Sequence, residues 1–115
     1  MRILVIDDEK AVRGLFAEAL SRAGHEVDTA EGGPEGLQLL QSTPYEVVFV
    51  DILLPGGMSG FDVFDEIRQR GTSSRVVLMT GRPMDEKLAS YADRADGLLR
   101  KPINGLHQIV AALEA

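Results

Sequence analysis

Residues 1–9 read Met-Arg-Ile-Leu-Val-Ile-Asp-Asp-Glu, a short apolar run that turns acidic without a break. An unbroken apolar stretch rich in β-branched residues suits a strand buried on both faces. The carboxylates of Asp7, Asp8 and Glu9 then mark where the chain leaves the core. The same transition recurs downstream. Residues 47–50 (Val-Val-Phe-Val) lead into Asp51, and residues 76–79 (Val-Val-Leu-Met) lead into Thr80. Glu26–Ala30 and a weaker candidate at residues 97–99 complete a set of five strands, with Lys101 closely following the last.

Helix signals lie between these runs. Val12, Leu15, Phe16, Ala19 and Leu20 recur at helical spacing, and Gly24 is a stop signal. Pro34 can open a second helix with Leu37 and Leu40 on one face. Ser59 and Asp62 fit a capping box ahead of Phe61, Phe64 and Ile67. Pro83, Asp85 and Glu86 mark a fourth start, where acids suit the positive end of the helix dipole. Leu106, Ile109, Val110 and Leu113 form the inward stripe of a fifth. Strands alternating with helices favour an α/β fold, a parallel sheet covered on both faces. At 115 residues, with no linker or repeat, residues 1–115 are read as one domain.

Composition narrows the chemistry. The chain has no cysteine, which excludes disulfides, thiolate metal sites and cysteine nucleophiles. It has two histidines, His25 and His107, and neither follows a strand's carboxyl end, so both are read as structural. Any metal should therefore be a hard cation held by oxygen. A net charge of −6 is the wrong footprint for direct nucleic-acid binding. The first apolar run is too short for a signal peptide and no run is long enough to span a bilayer, so the expectation is a cytoplasmic protein without membrane contact.

In an open parallel sheet all strand carboxyl ends share one edge, and ligand sites form where strand order reverses. That rule gathers Asp7, Asp8, Asp51, Thr80 and Lys101 from four separate segments. Singly, each has an ordinary reading as loop, turn or surface residue; their joint placement after successive strands is what points to a site. Carboxylates brought close together need a compensating cation. An all-oxygen ligand set favours Mg²⁺, with Mn²⁺ the alternative. Asp51 suits a nucleophile, because a carboxylate with a pKa of about 3.9 is already ionised and needs no general base. Phosphoryl transfer asks a protein mainly for alignment and positive charge. Lys101 and the metal would supply the charge, and Thr80 a hydrogen bond.

These residues resemble the receiver domains of two-component response regulators, of the chemotaxis-regulator type, over essentially the whole chain. The stretches that carry the resemblance are residues 5–9 (Val-Ile-Asp-Asp-Glu), 51–60, 79–81 (Met-Thr-Gly) and Lys101-Pro102, in family order and spacing. The resemblance implies a flavodoxin-like doubly wound sheet of order 2-1-3-4-5. It makes Asp51 the phosphoacceptor, Asp8 a direct Mg²⁺ ligand, Asp7 a ligand acting partly through water, and the main-chain carbonyl of Leu53 a further ligand. Thr80 becomes the switch hydroxyl and Lys101 the lysine of the family pattern, with a cis bond to Pro102. The implied phosphodonor is a phosphohistidine on a sensor histidine kinase or a histidine phosphotransfer protein. The chain would be a signalling phosphoacceptor acting only on itself, not a turnover enzyme.

Departures from the pattern carry their own expectations. Leu98 stands three residues before Lys101, where receivers usually have an aromatic residue. Gly56-Gly57 lengthens the loop after Asp51 by one residue. Leu53 and Arg82 occupy positions that tune phosphoryl lifetime, and an apolar Leu53 implies slow self-hydrolysis. The output would leave through a face made by the fourth helix, fifth strand and fifth helix, read by a downstream protein. No effector segment follows the last helix, so the chain would either dock a partner alone or be part of a longer protein.

Three rivals make different demands. An aspartyl phosphohydrolase wants an acid two residues after its nucleophile, where Leu53 stands. A nucleotide binder wants a phosphate loop after the first strand, where Asp7-Asp8-Glu9 would repel phosphate. A phosphorylation-independent docking module keeps the fold without needing the acids, Thr80 or Lys101.

Overall fold

The computed structural model describes residues 1–114, with the side chains of Leu106 and Glu114 outside that description. The inward position expected of Leu106 thus falls outside the described residues. Five strands and five helices alternate: β1 (Arg2–Ile6), α1 (Lys10–Arg22), β2 (Glu26–Ala30), α2 (Gly33–Ser42), β3 (Val47–Asp51), α3 (Gly60–Gln69), β4 (Arg75–Thr80), α4 (Glu86–Arg94), β5 (Gly97–Arg100) and α5 (Leu106–Glu114). All strand pairs are parallel, in the order β2-β1-β3-β4-β5. This is the flavodoxin-like order expected from the resemblance.

The apolar runs sort by alternation onto the two faces of the sheet. Leu4, Ile6, Val48, Val50, Val76 and Leu78 pack under α2, α3 and α4 with Leu37, Phe61, Phe64, Ile67 and Leu88. Ile3, Val5, Val47, Phe49, Val77 and Met79 face the other way, toward Phe16, Ala19 and Leu20 of α1 and Ile109 and Leu113 of α5. Phe16 meets Phe49 edge-on with ring centroids 5.0 Å apart. Burying each such large side chain stabilises the fold by roughly 1.5–3 kcal/mol before conformational entropy is counted. Between their polar end residues β1, β3 and β4 are therefore apolar, whereas the edge strands β2 and β5 are only partly covered.

The helix signals hold with one shift. Gly24, at φ +91°, follows α1, and the amides of Gly24 and His25 donate to Ser21 and Leu20. Pro34 lies in the first turn of α2. Ser59 and Asp62 form the capping box of α3. In α4 the Asp85 carboxylate caps the helix by accepting from the Leu88 amide at 2.8 Å, so Pro83 stands before the helix instead of opening it. Three strands run past the expected ends. Asp51 and Thr80 are the last residues of β3 and β4, not the first residues beyond them, because Asp51 pairs with Met79 and Thr80 with Arg100.

Candidate functional site

The strand order reverses between β1 and β3, and a cleft opens there at the carboxyl edge of the sheet. It has a volume of about 670 Å³ and is lined by Glu9, Asp51, Leu53, Ser59, Phe61, Thr80, Arg82, Lys87 and Lys101, among others. The ladder fixes the carboxylate of Asp51 at its floor, only 5% exposed. The following chain is pulled tight against it. Gly60 donates its amide to the Ile52 carbonyl at 2.8 Å, and a Cβ at Gly60 would lie 2.2 Å from the Asp51 carbonyl oxygen. Gly56 and Gly57, both at φ +81°, take the lengthened loop through the left-handed region, which other residues enter at a cost.

Lys101 enters from the far side of the sheet. Its amide donates to the Thr80 carbonyl at 2.9 Å, and its bond to Pro102 is cis. The ammonium donates to Asp51 Oδ2 at 2.8 Å and to Glu9 Oε1 at 3.0 Å. It also lies 2.8 Å from Asp7 Oδ2, an ion-pair contact outside hydrogen-bond geometry. Burial alone would depress the Lys101 pKa, but its contacts with the carboxylates of Asp51, Asp7 and Glu9 outweigh that and hold it above the ordinary lysine value. Burial raises the pKa of Asp51; the bond from Lys101 opposes the rise and the charge of Asp7 adds to it. The Leu53 amide donates to Asp51 Oδ1 at 3.2 Å.

Asp7 is fully buried. Its Oδ1 accepts the Glu9 amide at 2.9 Å, its own amide donates to the Ala30 carbonyl at 3.0 Å, and its carbonyl accepts from Arg13 Nη1 at 2.9 Å. Its Oδ2 accepts no hydrogen bond at all. Lys101 meets it only as an ion pair, and one ammonium cannot offset the buried charges of Asp7 and Asp51 together. Asp7, Asp8 and Asp51 each offer an oxygen within 4.8 Å of the others, and Asp8 is exposed and free to adjust. A buried oxygen without a hydrogen bond, in a cluster whose three carboxylates outnumber its one lysine, fits a hard divalent cation such as Mg²⁺ or Mn²⁺. Asp7, Asp8 and Asp51 are the side chains that would hold it.

The structure thus brings Asp7, Asp8, Asp51, Thr80 and Lys101 to one edge, as the strand pattern required. Thr80 is 3% exposed, and its hydroxyl accepts the Arg82 amide at 3.1 Å. Leu53 lines the cleft and is 81% exposed. His25 lies by the terminal amine at 3.1 Å and His107 is exposed. Glu9 belongs to the first acidic run, but its contact with Lys101 spans 92 residues and no local spacing announces it. Arg13 and Lys87 also reach the site, and neither ends a strand. Arg13 could have been found as a basic residue on the first turns of α1, on the side facing the acids.

Comparison with known proteins agrees with this geometry. The family model described as "Response regulator receiver domain" matches residues 3–114. The chain is 34% identical, over its whole length, to the transcriptional regulatory protein TcrA of Mycobacterium tuberculosis, of which it covers 45%. It is 36% identical to the transcriptional regulatory protein QseB of Escherichia coli O157:H7, again over its whole length, and covers 52% of that protein. The chain therefore spans about half the length of the curated relatives it matches. Among solved structures, the chemotaxis protein CheY4 of Vibrio cholerae superposes with a TM-score of 0.89 at 27% identity, covering 98% of this chain and 95% of that one. The response regulator TrrA of Thermotoga maritima, solved in complex with Mg²⁺ and BeF, gives a TM-score of 0.84 at 37% identity, covering 98% and 96%. Fold, strand-end site and sequence point the same way: the chain belongs to the response regulator receiver domain family of two-component systems.

Proposed function

We propose that this chain is a phosphoacceptor that takes a phosphoryl group onto Asp51 from a phosphohistidine on a sensor histidine kinase or a histidine phosphotransfer protein. The observation that carries the reading is Lys101 Nζ 2.8 Å from Asp51 Oδ2, beside carboxylates with an unsatisfied buried oxygen. Asp51 Oδ attacks phosphorus, the bond to the donor nitrogen breaks, and an acyl phosphate forms. Asp51 is positioned by the ladder and by the Leu53 amide, and Lys101 stays charged to meet an equatorial oxygen. Thr80, on the cleft wall, donates its hydroxyl to another. Asp8 and Asp51, with Asp7 and the Leu53 carbonyl, would hold Mg²⁺, which when bound supplies charge that offsets the phosphoryl oxygens.

The chain modifies itself and is not a turnover enzyme. The output face is α4, β5 and α5, read by a downstream protein, and contact with nucleic acid belongs to whatever that partner or a further domain supplies. None of the described helices is long and apolar enough to cross a membrane. Together with a histidine-kinase donor, this supports a cytoplasmic setting. Leu53, with no polar group to orient water, should make the acyl phosphate long-lived.

The test is incubation with Mg²⁺ and acetyl phosphate followed by intact-mass measurement. The wild type should gain one phosphoryl group, and Asp51→Asn or added EDTA should abolish the gain. Uptake by neither acetyl phosphate nor a phosphorylated histidine protein would favour a docking module that signals without phosphorylation.

A further inference from the structure

We propose that Glu9 is an internal competitor for Lys101. Its carboxylate holds, in the unphosphorylated chain, the ammonium hydrogen that an incoming phosphoryl oxygen needs. The inference rests on the phosphoacceptor reading of Asp51.

A lysine ammonium has three hydrogens and no more. Around Lys101 Nζ stand three acidic oxygens: Asp51 Oδ2 at 2.8 Å and Glu9 Oε1 at 3.0 Å, each accepting one of those hydrogens, and Asp7 Oδ2 at 2.8 Å, held as an ion pair. With three oxygens packed within 3.0 Å of Nζ, a phosphoryl oxygen can reach the ammonium only if one of them gives way. The side chains of Asp7 and Asp51 are 0% and 6% exposed, whereas that of Glu9 is 59% exposed. Releasing a buried carboxylate strands a charge, while releasing an exposed one returns it to water at little cost. Glu9 is the contact that yields.

Its geometry makes release simple. Glu9 borders both the phosphoryl cleft and a second cleft of about 440 Å³, lined by Val12, Pro102 and Ile103, so its carboxylate on Lys101 stands at the divide between them. The turn itself depends on the Glu9 amide, which donates to Asp7 Oδ1, and not on the side chain. Charge acts in the same direction as the contact. With Glu9 counted, four carboxylates outweigh one lysine and one divalent cation, so an arriving phosphoryl dianion meets residual negative charge. Removing the Glu9 side chain therefore frees a donor and lowers repulsion together. The orientation of Lys101 survives, because two buried oxygens still fix it.

The experiment compares wild type, Glu9→Ala and Glu9→Gln at saturating Mg²⁺. It measures the rate of phosphorylation by sub-saturating acetyl phosphate and, without turnover, the affinity for beryllofluoride by calorimetry. Both variants should be phosphorylated roughly two- to fivefold faster, and bind beryllofluoride tighter by a similar factor, as loss of one exposed ion pair allows. Solvent exchange of the Lys101 ammonium hydrogens, followed by nitrogen-15 NMR, should quicken in the free variants. A wild type that is phosphorylated beside variants no faster and no tighter overturns the proposal. Variants slowed in step with a weaker Mg²⁺ affinity would also overturn it, placing Glu9 on the metal side. A wild type that takes up no phosphoryl group instead overturns the underlying reading of Asp51.

Discussion

Gly60 shows how tightly single residues are constrained around Asp51. A Cβ there would lie 2.2 Å from the Asp51 carbonyl oxygen and 2.6 Å from Ile52 Cα, both backbone atoms that cannot swing aside. Gly60→Ala must therefore push α3 away from the end of β3. The expected loss is about 1–3 kcal/mol in urea denaturation, as for other overpacked sites, accompanied by slower phosphorylation because Asp51 shifts with its backbone. Stability and rate both unchanged would show that the loop has slack that this packing denies. The site residues are of two kinds. Asp7, Asp8, Asp51, Thr80 and Lys101 were legible because each ends or closely follows an apolar strand, a local signal. Gly60 and Glu9 were not legible as site residues, because what defines them is close approach by residues far away in sequence, which periodicity does not encode.

Among the elements, the turn from β1 into α1 is held from outside by Arg13. Its guanidinium donates to the Asp7 carbonyl at 2.9 Å and to Glu31 at 3.3 Å, with the Arg13 side chain 14% exposed and that of Glu31 77% exposed. This fork ties the first acidic turn to the loop after β2, and only its Asp7 arm is sheltered from water. Arg13→Ala should weaken Mg²⁺ binding about tenfold by calorimetry, the scale seen when groups supporting metal ligands are lost. Glu31→Ala should leave it nearly unchanged, since an exposed pair contributes little. A second link, between β2 and the start of β3, is the Tyr45 hydroxyl donating to Asp28 Oδ2 at 2.6 Å. Burial first, and then Asp28, raise the Tyr45 pKa from 10.0 to about 12. The folded chain thus keeps a proton that the unfolded chain releases. Its contribution is whole below pH 10 and fades as pH climbs toward 12. Urea denaturation across that window should show a steeper alkaline loss for wild type than for Tyr45→Phe, and parallel curves would contradict the assignment. Element boundaries were legible where caps have side-chain chemistry, as at Ser59 and Asp62. They were less so at β5, an edge strand of four residues that never forms a long apolar run, and at Asp51 and Thr80, where cross-strand pairing extends the ladder beyond the apolar residues.

At the scale of the whole molecule, the unbroken apolar runs of β1, β3 and β4 reveal a sheet with two covered faces, but the order β2-β1-β3-β4-β5 came from family resemblance, because an apolar run does not say which strands are neighbours. That order places the site beside β4 and leaves α4 as the helix least anchored to the core. Leu88 is the buried residue of α4, and the helix is otherwise held by Tyr91, which stacks on Phe61 at 4.3 Å and donates to Asp65. Leu98 is partly buried against the same core, so β5 presents no aromatic ring to turn inward. A change at Asp51 has a different route available. The Thr80 hydroxyl accepts the Arg82 amide at 3.1 Å, Arg82 pairs with Asp85, and Asp85 caps α4. In the proposed phosphorylated chain, turning the hydroxyl toward a phosphoryl oxygen would draw it off the Arg82 amide and loosen the cap from the far end. Weakly packed elements exchange their amides first. Hydrogen exchange with and without Mg²⁺ and beryllofluoride should therefore change at residues 82–88 while the amides of β1 stay protected. In Arg82→Ala the beryllofluoride-dependent change beyond the cap should shrink, because the side chain joining loop to cap is gone. Unaltered exchange at 82–88 in the wild type, despite bound beryllofluoride, would mean that α4 does not feel the site, and that any output must leave by another face.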